Sequence, residues 1–547
     1  MPRPLLLLLA LAVPALVGAA PPAVEVFSSV DRRAVEVGGT VAWTVEALAT
    51  VDDAGDRAAL RAAFESADVG AQVGPALRVV ERGGVEERLF GDVVQLRRRV
   101  VFEVVDPDVR EVPAVRLDLG PGGEAWTRAQ PLRAYAGGAA VARAARSVVS
   151  VTAEGAVGGV PFDRDGSAFL VGDDALVTAY HIVVGADRVR VRLPDGREAV
   201  TDRVWSLDPA RDVAVLRVDP DDVRRAGLTP LALAPAEAAG DVAFTAGWAG
   251  RQQTPTAAAR YADLVVAGGR VRLTANGVRP GDSGGPLLDE RGRVLGVVTS
   301  GRSTGGDRDL LGAAVCLAAD VGPALARRPA HPAPLADALA EAGGAAARVH
   351  AALGALGAPG ANDPAPHLAD LLAAVRDAPG DPALGYLAGT ALDEGGAGDR
   401  AADVLRAAYD AGFTPAGYSL AHGLVRAGRL AEAADVFASL DGPYAPLGAL
   451  GRAEALVAAH RYREAEADLR VVLDHDPAFA PALYLLGIVR IAQGRDAEAA
   501  ALAVRMGARP DWADALRLPL RHPALGPMAL DPLPRVPAYP QRHLAMR

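Results

Sequence analysis

Four turn residues recur in phase through the last third of the chain. Gly396, Gly428, His460 and Gly494 are separated by 32, 32 and 34 residues. Five residues after each stands an alanine: Ala401, Ala433, Ala465 and Ala499. Nine after each stands Leu405, Phe437, Leu469 or Ala503, and seven before each a small residue, Gly389, Ala421, Ala453 or Gly487. A period of this length means one helical hairpin per repeat. Small residues let the paired helices approach closely, and each pair can bury its apolar face only against the next pair. The pattern predicts stacked helix pairs over 367–513. The Pro-rich remainder, 514–547, reads as an extended or partly disordered tail.

A repeat array of that size leaves most of the 547 residues to be organised by other cores. Residues 22–137 read as β structure: AVEVFSSV, TVAWTVEAL, VVQLRRRVVFEVV and AVRLDLG are β-branched or alternating and are separated by Gly, Asp and Pro. That spacing predicts a small antiparallel sandwich. Residues 145–327 read as a second β domain. The Pro-rich run RRPAHPAP opens a stretch, 328–366, that reads as a linker with a helix. The formal net charge is −10, without a basic stripe, which argues against nucleic acid as the main partner. The single cysteine, Cys316, allows no disulfide within the chain and no cysteine-based zinc site, and its apolar surroundings read as core. Residues 1–20 place one Arg before about a dozen apolar residues and end in small residues, the pattern of a secretory signal peptide. A retained membrane anchor is the alternative, and no other segment is apolar enough to span a bilayer. The chain therefore reads as exported, periplasmic or extracellular.

The chemistry lies in 145–327. Ser283 sits in RPGDSGGPLLD, where glycines permit the tight turn that aims two backbone N–H groups, those of Gly281 and Ser283, at one oxygen. A strand-like VLGVVTS follows, unlike the strand-to-helix elbow of an α/β-hydrolase. His181 ends an apolar strand in DALVTAYHIVV, where its neutral ring can take a proton from a serine. Asp212 precedes another apolar strand in RDVAVLRV, and a carboxylate entering apolar surroundings needs a partner. Of nine histidines, His181 alone lies in this segment; the other eight stand at 331 or beyond. A serine needing an imidazole base has no other candidate there.

These three motifs, in the order His–Asp–Ser, resemble the trypsin-like serine proteases, and most closely the bacterial HtrA/DegP-like branch. GSAFLVGDDALVTAYHIVVGADRVRV matches its catalytic-His strands, RDVAVLRV its Asp motif and GAAVCLAADVGPAL its closing strand and helix. The resemblance implies a double six-stranded β-barrel with a cleft between the barrels, a triad of His181, Asp212 and Ser283, and protein or peptide substrates. It places Gly277 near the bottom of the pocket for the substrate side chain, where trypsins carry Asp, which argues against cleavage after Arg or Lys. Ala168 replaces a usual Gly, Asp282 replaces the Asn commoner in this branch, and no PDZ-like segment follows. The opening VFSSVDRRAVEVGGTVAWTVEA resembles the immunoglobulin-like modules of the BatD family, and GRLAEAADVF and HRYREAEADL resemble tetratricopeptide repeats. The expected architecture is thus an immunoglobulin-like sandwich, a trypsin-like double barrel and a tetratricopeptide-like solenoid able to hold a protein partner. No metal or organic cofactor is implied. A catalytically weak or inactive envelope scaffold is the competing reading.

Overall fold

A computed structural model describes residues 24–521, apart from 52, 158, 236–241, 249–255, 267–268, 275–280, 303–314, 357–363, 442–443, 476–478 and 507–509. Residues 1–20, read as a signal peptide, Gly277 and the tail beyond 521 lie outside the described residues.

The N-terminal region is β-rich, yet its two layers differ from the expected sandwich. One layer is a four-stranded antiparallel sheet in the order Val24–Val30, Thr40–Thr50, Val93–Val104, Leu77–Phe90. The other is made of two-stranded ladders and helix α1 (Ala54–Ser66). Asp53 starts α1 by accepting a hydrogen bond from the Asp56 N–H, and Leu60 and Phe64, one turn apart, are buried in the core with Trp43, Leu96 and Phe102.

The next domain has two β units. The first is an eight-stranded antiparallel sheet in the order Glu198–Thr201, Ala186–Arg192, Val148–Val157, Val160–Gly172, Ala175–Ala179, Val213–Arg217, Arg203–Asp208, Ala333–Pro334. The second is a closed six-stranded barrel. Strand alternation divides the apolar residues between two cores. Val149, Val151 and Ala153 face the interior of the first unit. Val148, Phe169, Val177, Val213 and Val215 face the other way and pack with Phe244, Leu288 and Val297 of the second unit. The helical turn α2 (Tyr180–Val183), which carries His181, closes the end of the strand Ala175–Ala179.

The segment expected to be a linker is instead built into this domain. Ala333 and Pro334 pair with Val204 and Arg203. Leu335 opens helix α3 (Leu335–Glu341) and lies in the first unit's core with Val204 and Leu216. Helix α4 (Gly344–Leu356) follows. Its Val349 and Ala352 share a core with Leu371 and Ala374 of α5 (Ala365–Asp377) and Leu384 and Ala388 of α6 (Pro382–Glu394). The Pro-rich run breaks helix before 335, but apolar residues on both sides of it have cores to fill.

Antiparallel helices continue as α7 (Gly398–Asp410), α8 (Thr414–Arg426), α9 (Leu430–Ala438), α10 (Ala445–Ala458), α11 (Tyr462–His475), α12 (Ala480–Ala492), α13 (Asp496–Arg505) and α14 (Pro510–Arg521). The last of these carries helix past the expected boundary at 513. Gly396, Gly428, His460 and Gly494 all have left-handed backbone, at φ 83°, 73°, 58° and 73°. Ala401, Ala433, Ala465 and Ala499 are buried. Among the described residues, no helix is long and apolar enough to cross a membrane.

The chain closes on itself. Phe27, Leu48 and Val93 of the N-terminal sheet share a core with α12 and α13. Arg490, 1% exposed, pairs with Glu25 and Glu466 at 2.8 Å each, and Arg505 pairs with Glu46 at 2.9 Å. The N-terminal region also meets the second barrel: Tyr135 stands edge-on to Phe244, and the Ala136 N–H donates to Glu290.

Candidate active site

Asp212 follows the short 3₁₀ turn Pro209–Arg211 in left-handed backbone, φ 56°, a conformation Asp tolerates better than most residues. That bend brings its carboxylate onto the start of α2. Oδ1 accepts the His181 backbone N–H at 2.7 Å, and Oδ2 lies 2.7 Å from His181 Nδ1. The Asp212 carbonyl accepts the Tyr180 N–H at 3.0 Å. Two bonds from one residue to one carboxylate fix both the ring and the turn that carries it. The remaining ring nitrogen, Nε2, is left to face another group. Burial pushes the Asp212 carboxyl toward protonation, but His181, His350 and the hydrogen bonds from His181 outweigh it, so its pKa lies below the ordinary value. The Asp212 side chain is 13% exposed and that of His181 20%.

Arg164 holds α2 from the other end. It is 8% exposed, and its Nη1 donates to the carbonyls of His181, Ile182 and Val184 at 2.8, 3.1 and 3.0 Å. These are carbonyls that a four-residue helical turn cannot satisfy internally. Burial pushes the guanidinium pKa down to about 10, so it stays charged at neutral pH.

Ser283 is held by backbone geometry. Gly281 and Gly284 have φ 98° and 86°. At Gly284 a Cβ would also strike the Ser167 carbonyl oxygen and Thr178 Oγ1, so only glycine fits. Ser167, fully buried, staples the loop at two points: its N–H donates to the Ser283 carbonyl at 2.8 Å and its Oγ to the Gly281 carbonyl at 2.6 Å. The Gly284 N–H donates to Val298. Among the described residues nothing accepts a hydrogen bond from the amides of Gly281 and Ser283.

The loop meets the His181 turn over Gly166. A Cβ there would lie 3.0 Å from the Ile182 side chain and 3.1 Å from the Ser283 carbonyl oxygen. Gly284 packs against Ala179, two residues before His181. Ser283, 8% exposed, thus lies beside the turn that carries His181, and no hydrogen bond joins its hydroxyl to the imidazole. Asp282 packs against Gly247. Among the described residues no group of three or more His, Cys, Asp or Glu is placed to hold a metal ion.

Sequence reasoning missed Arg164, Ser167 and His350. Ser167 carried a signal, since it stands in the GSAF strand matched to the catalytic-His motif. Arg164 and His350 carried none.

Residues 166–297 match the family model described as a trypsin-like peptidase domain. The probable periplasmic serine endoprotease DegP-like of Chlamydia trachomatis is 32% identical over 155 residues, 26% of this chain and 29% of that protein. The putative serine protease HhoA of Synechocystis is 32% identical over 148 residues, 25% of this chain and 37% of that one. A solved structure titled HtrA-type protease AlgW with tripeptide is 28% identical and covers 34% of this chain and 60% of its own, with a TM-score of 0.29. The chain spans roughly a third of the length of these two curated relatives. The segment 166–297, matched to the trypsin-like peptidase domain, is the one that holds His181, Asp212 and Ser283.

Proposed function

We propose that the chain is an exported serine endopeptidase that hydrolyses peptide bonds of protein substrates through an acyl-enzyme on Ser283. In this reading Ser283 Oγ attacks the scissile carbonyl carbon while His181 Nε2 takes its proton. The same nitrogen then gives that proton to the leaving amine, and water repeats the cycle to free the acid. Asp212 keeps the proton on Nδ1 and stabilises the imidazolium. The amides of Gly281 and Ser283 receive the oxyanion, each contributing about 2.7–4 kcal/mol to the transition state. The observation that carries the reading is the 2.7 Å bond between His181 Nδ1 and Asp212 Oδ2 at the edge of a glycine-shaped serine loop whose two amides have no acceptor among the described residues. The relatives named as periplasmic serine endoproteases support both the chemistry and the export.

The flanking regions, read as a BatD-like immunoglobulin-like module and tetratricopeptide-like repeats, would recruit substrates or partners to the site. One observation favours the competing scaffold reading: the Ser283 hydroxyl makes no hydrogen bond to His181. Serine–base bonds are often long without substrate and tighten in the reacting complex, so this does not decide against catalysis. Labelling with a fluorophosphonate probe separates the two. Covalent labelling of the full chain that disappears in Ser283→Ala supports the enzyme; no labelling under any condition sinks it.

A further inference from the structure

Beside Asp212 stands a second histidine from outside the matched domain. His350 lies in the middle of α4, is 3% exposed, and places Nε2 3.9 Å from Asp212 Oδ1. Its ring stands edge-on to Tyr180, the residue before His181, with centroids 5.4 Å apart and planes at 70°. The Pro209 carbonyl, at the start of the turn that bends Asp212 into place, faces the same ring. Nδ1 of His350 has no hydrogen-bond partner. One turn further along α4, Gly354 lies against Arg164: a Cβ there would sit 3.4 Å from Nη2 and from Val184. A single helix face therefore touches the residue before His181, the carboxylate that holds its ring, and the guanidinium that caps its turn.

The choice of imidazole has a physical reason. Each carboxylate oxygen of Asp212 takes one hydrogen bond, both from His181. A buried carboxylate needs more polar neighbours than that, and an apolar side chain at 350 would withdraw one of them. A permanent cation would err the other way, satisfying the carboxylate and weakening its hold on an imidazolium. Burial lowers the His350 pKa, outweighing the opposing pull of Asp212, so the ring is a neutral dipole at physiological pH.

We propose that His350 is a positioning residue for the Asp212–His181 pair, standing beside Oδ1 of the carboxylate so that Oδ2 stays on His181 Nδ1. The inference rests on reading His181, Asp212 and Ser283 as a triad. It also ties the stretch after the protease domain to the placement of the site, since a neighbouring face of α4 packs against the first helices of the repeat region.

The test is the rate of fluorophosphonate labelling of the full chain, separated into probe affinity and bond-forming rate, in His350→Phe and His350→Gln. Phe keeps an aromatic ring for the edge-on contact with Tyr180, in a slightly larger side chain, but removes both nitrogens; Gln can return a neutral N–H near the place of Nε2. In the Phe variant the bond-forming rate should fall on the order of ten- to a hundredfold, as small misplacements of a catalytic group do, with probe affinity little changed. The Gln variant should recover most of the wild-type rate. Wild-type bond-forming rates in the Phe variant overturn the proposal, as does an equal loss in both. If the Phe variant does not fold, His350→Asn, whose N–H is retracted, takes its place: slowed bond formation supports the proposal and a wild-type rate overturns it. A wild-type chain that takes up no probe sinks the triad reading itself, an outcome distinct from any of these.

Discussion

The two sides of the candidate site are held in place by different means. Ser283 is set mainly by backbone shape: its sequence neighbours Gly281 and Gly284 supply left-handed backbone, and one residue from a distant strand, Ser167, staples the turn at two points. His181 and Asp212 are set by side chains gathered from far along the chain. Arg164 caps the turn of His181, the bend at Asp212 supplies the partner carboxylate, and His350 stands beside it. A nucleophile whose backbone amides must converge on one oxygen needs a fixed local backbone, which a short motif can encode. An imidazole and a carboxylate need a shared orientation in a water-poor space, and that requires walls from several elements. The serine side should therefore break when its backbone is altered, and the histidine side when a remote polar contact is removed.

The largest effect tests the histidine side at its centre. Asp212→Asn keeps the volume, but its amide N–H₂ cannot accept from Nδ1–H and favours the wrong tautomer. Labelling by a fluorophosphonate should slow by about 10⁴-fold, with the fold intact by circular dichroism. A loss of tenfold or less would mean that the 2.7 Å bond does not govern the reactivity of Ser283. Next comes the serine side. Gly284→Ala must adopt φ near 86° and strikes the Ser167 carbonyl and Thr178 Oγ1. Moving the amides of Gly281 and Ser283 out of register should reduce labelling by about 10²–10³-fold, the scale of a lost oxyanion donor. Wild-type labelling in this variant would show that the loop tolerates a Cβ and that its glycines are not what aims the amides.

The same contrast governs what could be read from the sequence. The glycines around Ser283 stand within four positions of it, so the motif announced the loop. The order β-rich region, trypsin-like β domain, helical region was also legible, because alternation and the 32-residue period are local patterns. Even the phase survives: His460, lacking the freedom of glycine, takes the left-handed turn found at Gly396, Gly428 and Gly494. What escaped was long-range. Helix α1 interrupts a β-rich stretch, though Asp53 and the pair Leu60/Phe64 marked it. The stretch 328–366 looked like a linker because Pro and Ala dominate it, yet Leu335, Val349 and His350 each answer to a partner more than a hundred residues away or to a later helix. The docking of Glu25 and Glu46 on Arg490 and Arg505 had no sequence signature, since a lone Glu or Arg names no partner until the chain has folded.

The smallest effect concerns stability, and it asks whether the histidine side is held by hydrogen bonds or only by packing. Arg164→Met preserves most of the buried volume and removes the three donations from Nη1 to the carbonyls of His181, Ile182 and Val184. If the guanidinium merely filled space, Met would be close to neutral or better, because it removes a buried charge whose pKa burial has pushed down to about 10. If it satisfies the turn, three carbonyls lose their donor together. Each buried acceptor left unmet costs about 1–3 kcal/mol, offset in part by relief of the charge's desolvation, so a net loss of about 2–4 kcal/mol is expected. For a domain of this size that lowers the melting temperature by roughly 5–15 °C in calorimetry. Labelling should fall far less than in Asp212→Asn, since the carboxylate still grips both the His181 N–H and its ring. An unchanged melting temperature would assign the placement of α2 to apolar packing and reduce the contrast between the two sides of the site to the carboxylate alone.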